Sequence, residues 1–176
     1  MKLEPATDND IRWITDELEN GKKRPQSADF LDSFPWGTVS WFRAVLEYAE
    51  LENLFLFWDG SAWGMPSPLP RTLRDGVITF TQIALQQPNN VHLNQIQAWL
   101  KRCETGELQH NEPILILGGQ DQQSPLMILD GNHRAVAALW WSMESGDQSQ
   151  IPLNAWVGLS PDMIHYMYYQ RILWIH

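Results

Sequence analysis

The stretch LMILDGNHRAV, residues 126–136, decides how this chain folds: four apolar residues run into Asp130-Gly131-Asn132-His133-Arg134, and an Ala-rich apolar run follows at once. LMIL has the length and apolar character of a buried strand. The spacing of Val136, Leu139, Trp140 and Met143 predicts a helix from Asn132 to Glu144, stopped by Gly146. Gly131 permits a backbone turn or a close approach that a Cβ would block. The helix start beyond it offers unpaired N–H groups and the positive end of a dipole, a ready place for phosphate. Arg134 adds a permanently charged planar fork suited to phosphate oxygens. His133 can donate a hydrogen bond or act as acid or base near neutral pH. Asp130 can cap the helix, or bind a metal or a hydroxyl beside a phosphate. The same residues also read as plain turn chemistry, with Asp130 only a cap and Arg134 paired to an acid.

Working outward, the second half shows clear periods. Leu93, Ile96, Trp99 and Leu100 predict a helix over 93–103, and PILIL (113–117) a strand. GGQDQQSP turns the chain into LMIL, IPLNAWVG (151–158) is a further strand, and Ser160-Pro161 opens a C-terminal helix. In the first half, residues 7–20 predict a helix capped by Thr7 or Asp8, with Ile11, Ile14 and Leu18 on one face. A polar loop follows from Gly21. Val39, Phe42, Val45, Leu46 and Ala49 predict a helix over 38–51. LFLFW (54–58) predicts a strand, SAWGMPSPLPRTLRDG (61–76) an irregular loop, and VITFTQIAL (77–85) a strand that could turn helical late. The expectation is an α+β fold with a small mixed sheet. It would form one domain over 1–176, with a divergent helical half at 1–85 and a core at 86–176.

The 176 residues carry a formal net charge of −9, which repels phosphate backbones and argues against nonspecific nucleic-acid binding. One cysteine, Cys103, builds neither a disulfide framework nor a four-ligand zinc site. No apolar stretch approaches the ~20 residues of a membrane span, and MKLEPATDND is no apolar leader. The expectation is a cytoplasmic protein without membrane contact. Ten Trp in such a chain must serve core, ligand or interface.

At DGNHRAVAA the sequence resembles the signature box of the ParB/sulfiredoxin superfamily. In that superfamily a D/G-G-x-H/R-R stretch follows a strand and leads an Ala-rich helix. EPILIL (112–117) is similar to the family's Pro-led strand before the box, and IPLNAWVG to the strand after it, so the likeness covers about 92–168. The resemblance implies a ParB/sulfiredoxin-like core that holds the phosphates of ATP, ADP or CTP, with Gly131, Asn132, His133 and Arg134 as the phosphate loop. If the site is that of a nucleotide-dependent enzyme, Mg²⁺ is expected on Asp130 and the phosphates, and His133 and Asp130 are the catalytic candidates. Sulfiredoxins carry a cysteine where Asn132 stands, so repair of cysteine sulfinic acid is not implied. Partition proteins carry Arg-Arg and a following DNA-binding domain, and this chain has His-Arg. The local likeness is greatest to the family's small-molecule kinases, which use an upstream Glu as base. Glu4, Glu47, Glu50, Glu52, Glu104, Glu107 and Glu112 are all candidates for it here.

Three uses of such a site follow. The first is nucleotide-dependent phosphoryl transfer to a small molecule, or nucleotide hydrolysis. The second is a non-catalytic module that senses a nucleotide or other phosphate and contacts a protein partner. The third, a nuclease-like activity, is opposed by the charge. His110 before the Pro113 strand, Arg71 and Arg74 after the Pro-rich loop, and Trp63 within it are accessory candidates, each with a plain surface or packing alternative. His92 and His165 lack metal-ligand spacing and read as surface or packing residues. Tyr166, Tyr168, Tyr169 and Trp174 suit core packing or a homodimer face.

Overall fold

The computed structural model describes residues 1–22, 34–56, 72–87, 89–107, 113–146, 153–166, 169–170 and 173. In chain order the elements are β1 (Glu4–Pro5), α1 (Asp8–Lys22), β2 (Ser40–Leu46), α2 (Tyr48–Leu51), β3 (Phe55–Leu56), α3 (Leu73–Gln86), α4 (Val91–Glu104), β4 (Ile114–Gly118), β5 (Leu126–Asp130), α5 (Asn132–Ser145), β6 (Leu153–Leu159) and a 3₁₀ turn (Pro161–His165). The six strands form one mixed sheet in the order β1-β2-β6-β4-β5-β3. β1 with β2, β2 with β6 and β4 with β5 pair antiparallel, while β4 with β6 and β3 with β5 run parallel. The fold is α+β. No helix among the described residues is long and apolar enough to cross a membrane.

Apolar residues cover both sheet faces, which suits three packed layers. On one face Ala44, Leu46, Ile114, Ile116, Ile128, Ala155 and Val157 meet Leu73, Val77, Phe80, Leu93, Ile96 and the Ala-rich side of α5. On the other, Leu115, Leu117, Met127 and Trp156 meet Ile14 and Leu18 of α1 together with Met163, Tyr166 and Tyr169. Three expectations are corrected here. Residues 38–51 form β2 and the short α2, not one helix. Phe42, Ala44 and Leu46 alternate onto one core while Val39 and Trp41 pack on the other, and the ladder to β6 runs from Ser40↔Leu159 to Leu46↔Leu153. Val45 is apolar yet half exposed, so the two-residue alternation of β2 is masked and its pattern imitates a helix.

Residues 77–85 belong to a helix, α3, not a strand. Thr72 and Asp75 make a reciprocal capping box at its start, and Leu73, Val77, Phe80 and Ile83 are buried along one side. Burial of that stripe outweighs the strand preference of Val, Ile and Thr. The first half is therefore not simply helical, because it supplies β1, β2 and β3 to the sheet. The C-terminal region begins as a 3₁₀ turn, with the Ser160 side chain accepting from Asp162 N at 3.1 Å.

Tyr169 ties this region to the sheet. Its buried hydroxyl accepts from Gly119 N at 2.9 Å and donates to Pro125 O at 2.6 Å. Burial pushes the phenol up to about 12, so it stays a donor at any ordinary pH. Tyr169→Phe leaves a buried N–H without its acceptor and is expected to cost about 2 kcal/mol. A urea midpoint equal to that of the parent would contradict this.

Candidate functional site

The corner lies where β5 ends. Ile116 pairs with Ile128 and Leu115 with Asp130, so Leu129 is the extra residue of a β-bulge. Such bulges bend a strand and re-aim its side chains. Gly131 follows with φ +87°, the left-handed region, and is the N-cap of α5. A Cβ there would lie 2.5 Å from Ile114 Cγ2 and 3.1 Å from Arg134 Nη2. Glycine is thus required twice, by conformation and by space. The α5 start carries no side-chain cap. By contrast, Thr7 and Asp10 cap α1, Thr72 caps α3, and Asn90 caps α4 by accepting from His92 N and Leu93 N. The start of α5 is thus the one of these four without a side-chain cap.

Arg134 folds back over this start. Its side chain is 11 % exposed and its Nη2 lies 3.2 Å from Asp130 Oδ2. Its guanidinium also sits 5.5 Å from the Trp99 ring centre, and the Arg102 guanidinium approaches that ring at 4.4 Å. Asp130 is half exposed. Asn132 is 3 % exposed and its Oδ1 has no hydrogen-bond partner. Amide oxygen and nitrogen have the same shape, so a half-turn of the side chain would place a donor there instead. A buried polar atom of this kind has a hydrogen bond still to make.

His133 meets His92, the second residue of α4, with Nε2 3.0 Å from Nδ1. The ring planes are 8° apart and the centroids 5.3 Å apart. Two ring radii and the N···N gap fill nearly all of that separation, so the rings meet edge to edge as an in-plane hydrogen bond. His133 is pushed down to about 4, first by burial and then by the neighbouring His92, with Asp130 pulling weakly the other way. The first turns of α4 and α5 add positive potential that also disfavours imidazolium.

This has a consequence for stability. The unfolded histidine takes a proton near pH 6.5, while the folded one waits until about 4. Stability is therefore undiminished above pH 6.5 and falls as the pH drops towards 4, where the slope ends. Partial exposure of the ring screens the effect, so about 1–2 kcal/mol is expected to be lost. Urea titrations at pH 7 and 4.5 read it directly, and His133→Phe is expected to flatten the difference. Asp10 acts in a lower window. Its hydrogen bond to Arg43 at 2.5 Å holds it at about 2, so its contribution is lost only as pH falls from the ordinary Asp range towards that value.

The structure brings Asp130, Gly131, Asn132, His133 and Arg134 together. It also adds three residues that the sequence reading placed elsewhere or left to packing, namely His92, Trp99 and Arg102. Arg74 is not part of the group. It pairs with Glu52 at 2.8 Å just before β3, and β3 runs parallel to β5, so this pair lies towards the end where β5 begins. His110, Arg71 and Trp63 lie outside the described residues, as does Glu112. Glu4 pairs with Lys2, and Glu50 with the N-terminal amine. Among the described residues no three His, Cys, Asp or Glu side chains gather to hold a metal. A cavity of about 640 Å³ lined by Arg43, Glu47, Pro113, Ala155 and Trp156 does not include the corner. It lies across β4, since Ile114, which backs Gly131, has Ala155 as its ladder partner.

Fold and corner together define an α+β protein whose strand-to-helix turn presents an open helix start flanked by guanidinium and imidazole. No protein-family model matches the chain, and the searches of curated proteins and of solved structures gave no match.

Proposed function

We propose that the corner Asp130–Arg134 binds the phosphate of a nucleotide or another small phosphate compound. The observation that carries this is the side-chain-free start of α5 with the Arg134 guanidinium folded over it. Backbone N–H groups and the dipole would meet phosphate oxygens from one side, and the guanidinium would meet them from another. Arg102 beside Trp99 makes this a locally basic region on a chain of net charge −9. A half-turn of Asn132 would bring its amide N–H to the place of the unpartnered Oδ1 and add one more donor. The succession α4, β4, β5, α5 and β6 supports the likeness of residues 86–176 to the ParB/sulfiredoxin core, and with it ATP, ADP or CTP as ligands. Mg²⁺ would be held by Asp130, phosphate oxygens and water, the hard-oxygen set that ion takes.

Bound nucleotide has two uses. In the enzymatic reading, phosphoryl transfer to a small molecule or hydrolysis is promoted by positioning and by Arg134 charge. In the second reading the site senses phosphate without turnover, and one observation favours it. His133, held neutral down to about pH 4, is a hydrogen-bond donor but a weak proton acceptor. Titration calorimetry with ATP, ADP and CTP, with and without Mg²⁺, tests the shared claim. Saturable binding displaced by pyrophosphate is expected, and silence at millimolar nucleotide would sink it. Phosphorus NMR then separates the readings, because turnover lost in His133→Ala is incompatible with a pure sensor.

A further inference from the structure

We propose that His92 is a positioning residue that sets, through its hydrogen bond to His133, which nitrogen of His133 carries the proton. The geometry is that of one shared proton: Nδ1 of His92 and Nε2 of His133 are 3.0 Å apart, in rings only 8° from coplanar. Two neutral imidazoles so placed have two arrangements. In the first, His92 Nδ1–H donates to His133 Nε2, so His133 must carry its proton on Nδ1. In the second, His133 Nε2–H donates to His92 Nδ1, and His133 Nδ1 is bare. The states of the two rings are locked together, because two protons or none between the facing nitrogens would break the bond.

Nδ1 is the ring nitrogen nearer the backbone, and His133 is the second residue of α5. The first arrangement therefore turns His133 into a donor at the helix start, alongside the backbone N–H groups of that turn. The second turns it into an acceptor, which opposes an anion. Interchange conserves protons: one enters at His133 Nδ1, the Nε2 proton passes to His92 Nδ1, and the His92 Nε2 proton leaves. Charged groups beside the pair include Asp130 at the end of β5, which acts on His133, and Arg134 on α5, which pairs with Asp130. Both rings lie in first turns, where the dipoles resist a net positive charge on the pair. His92 is 41 positions from His133, so no local motif marks it. The choice of the first arrangement and its consequence for an anion rest on the phosphate reading, whereas the hydrogen bond and the coupling of the two tautomers do not.

Nitrogen-15 histidine NMR on the intact chain reads the tautomer directly. At pH 7.5, His133 is expected to be protonated on Nδ1 with a bare Nε2, and His92→Phe is expected to move it towards a mixture rich in Nε2–H. The His133 midpoint should rise from about 4 in that variant, since one of its depressing neighbours is gone. His92→Gln, whose amide N–H can still donate, is expected to restore the parent tautomer, and it serves as the second variant if Phe unfolds the chain. Pyrophosphate affinity should fall several-fold in His92→Phe and recover in His92→Gln. An unchanged His133 tautomer in folded His92→Phe would overturn the proposal, and a parent His133 bare at Nδ1 would overturn its consequence for an anion. Tautomer coupling without any pyrophosphate binding would leave this hydrogen bond standing and remove the phosphate reading alone.

Discussion

Replacing Gly131 by alanine is expected to lower the unfolding free energy by about 2–5 kcal/mol. The left-handed conformation at φ +87° costs an alanine about 1–2 kcal/mol. The new methyl adds overpacking of about 1–3 kcal/mol, since it would stand 2.5 Å from Cγ2 and 3.0 Å from Cβ of Ile114. Ile114 is fully buried on β4 between β5 and β6, so it has little room to retreat. The two costs can be separated. Deleting the obstructing Cγ2 with Ile114→Ala should make the Gly131→Ala step cost less than it does beside isoleucine, and it leaves the conformational loss untouched. Denaturant midpoints for the single and double variants check this. A single variant within 0.5 kcal/mol of the parent, as surface changes usually are, would mean that this turn is not as tight as described.

Arg134→Gln is expected to weaken pyrophosphate or nucleotide binding at least tenfold while costing the fold much less. A charge-assisted hydrogen bond to phosphate contributes about 1.5–3 kcal/mol, and the guanidinium can make two such bonds at once. Asp130, the partner left behind, is half exposed and can be hydrated, so the fold should lose under about 1 kcal/mol. Arg134→Lys keeps the charge but not the fork and should fall between the two. Calorimetric titration orders the three proteins. Equal affinity in all three would remove Arg134 from the site, and a folded Arg134→Gln that binds like the parent would point to a different anion-binding surface.

The corner was legible because its logic is local. A short apolar strand, a glycine and an Ala-rich helix follow one another within twenty residues, and each obeys its own period. The elements from 91 to 159 were readable for the same reason. Misreading began where an apolar residue faces solvent. In β2 the half-exposed Val45 stands beside buried Ala44 and Leu46, so the alternation was hidden and a helical spacing appeared by coincidence. In α3 the β-branched residues spoke for a strand, while the box T-L-R-D at 72–75, a recognisable helix start, lay inside what looked like a loop. The His92 contact was not legible at all. It depends on how two helices cross, and helix crossing is set by packing rather than by any pattern along the chain. Arg74 erred in the opposite direction. It is near the Pro-rich loop in sequence, but Glu52 holds it elsewhere.

One feature of the sheet bears on the order in which the molecule is assembled. β6, residues 153–159, sits third in the sheet, joining β2 on one side to β4 on the other. During synthesis the ribosome releases β1, β2, β3, β4 and β5 long before it. Until β6 emerges, the β1–β2 pair has no ladder to the β4–β5–β3 piece, and β2 and β4 each expose an unpaired edge with an apolar face. Nascent chains in this condition are sticky, and ladders between such distant segments close slowly. The late strand acts as a keystone. Pulse-labelled chains halted before residue 153 should be captured by chaperones and cut readily by protease, and chains released past residue 159 should lose both traits together.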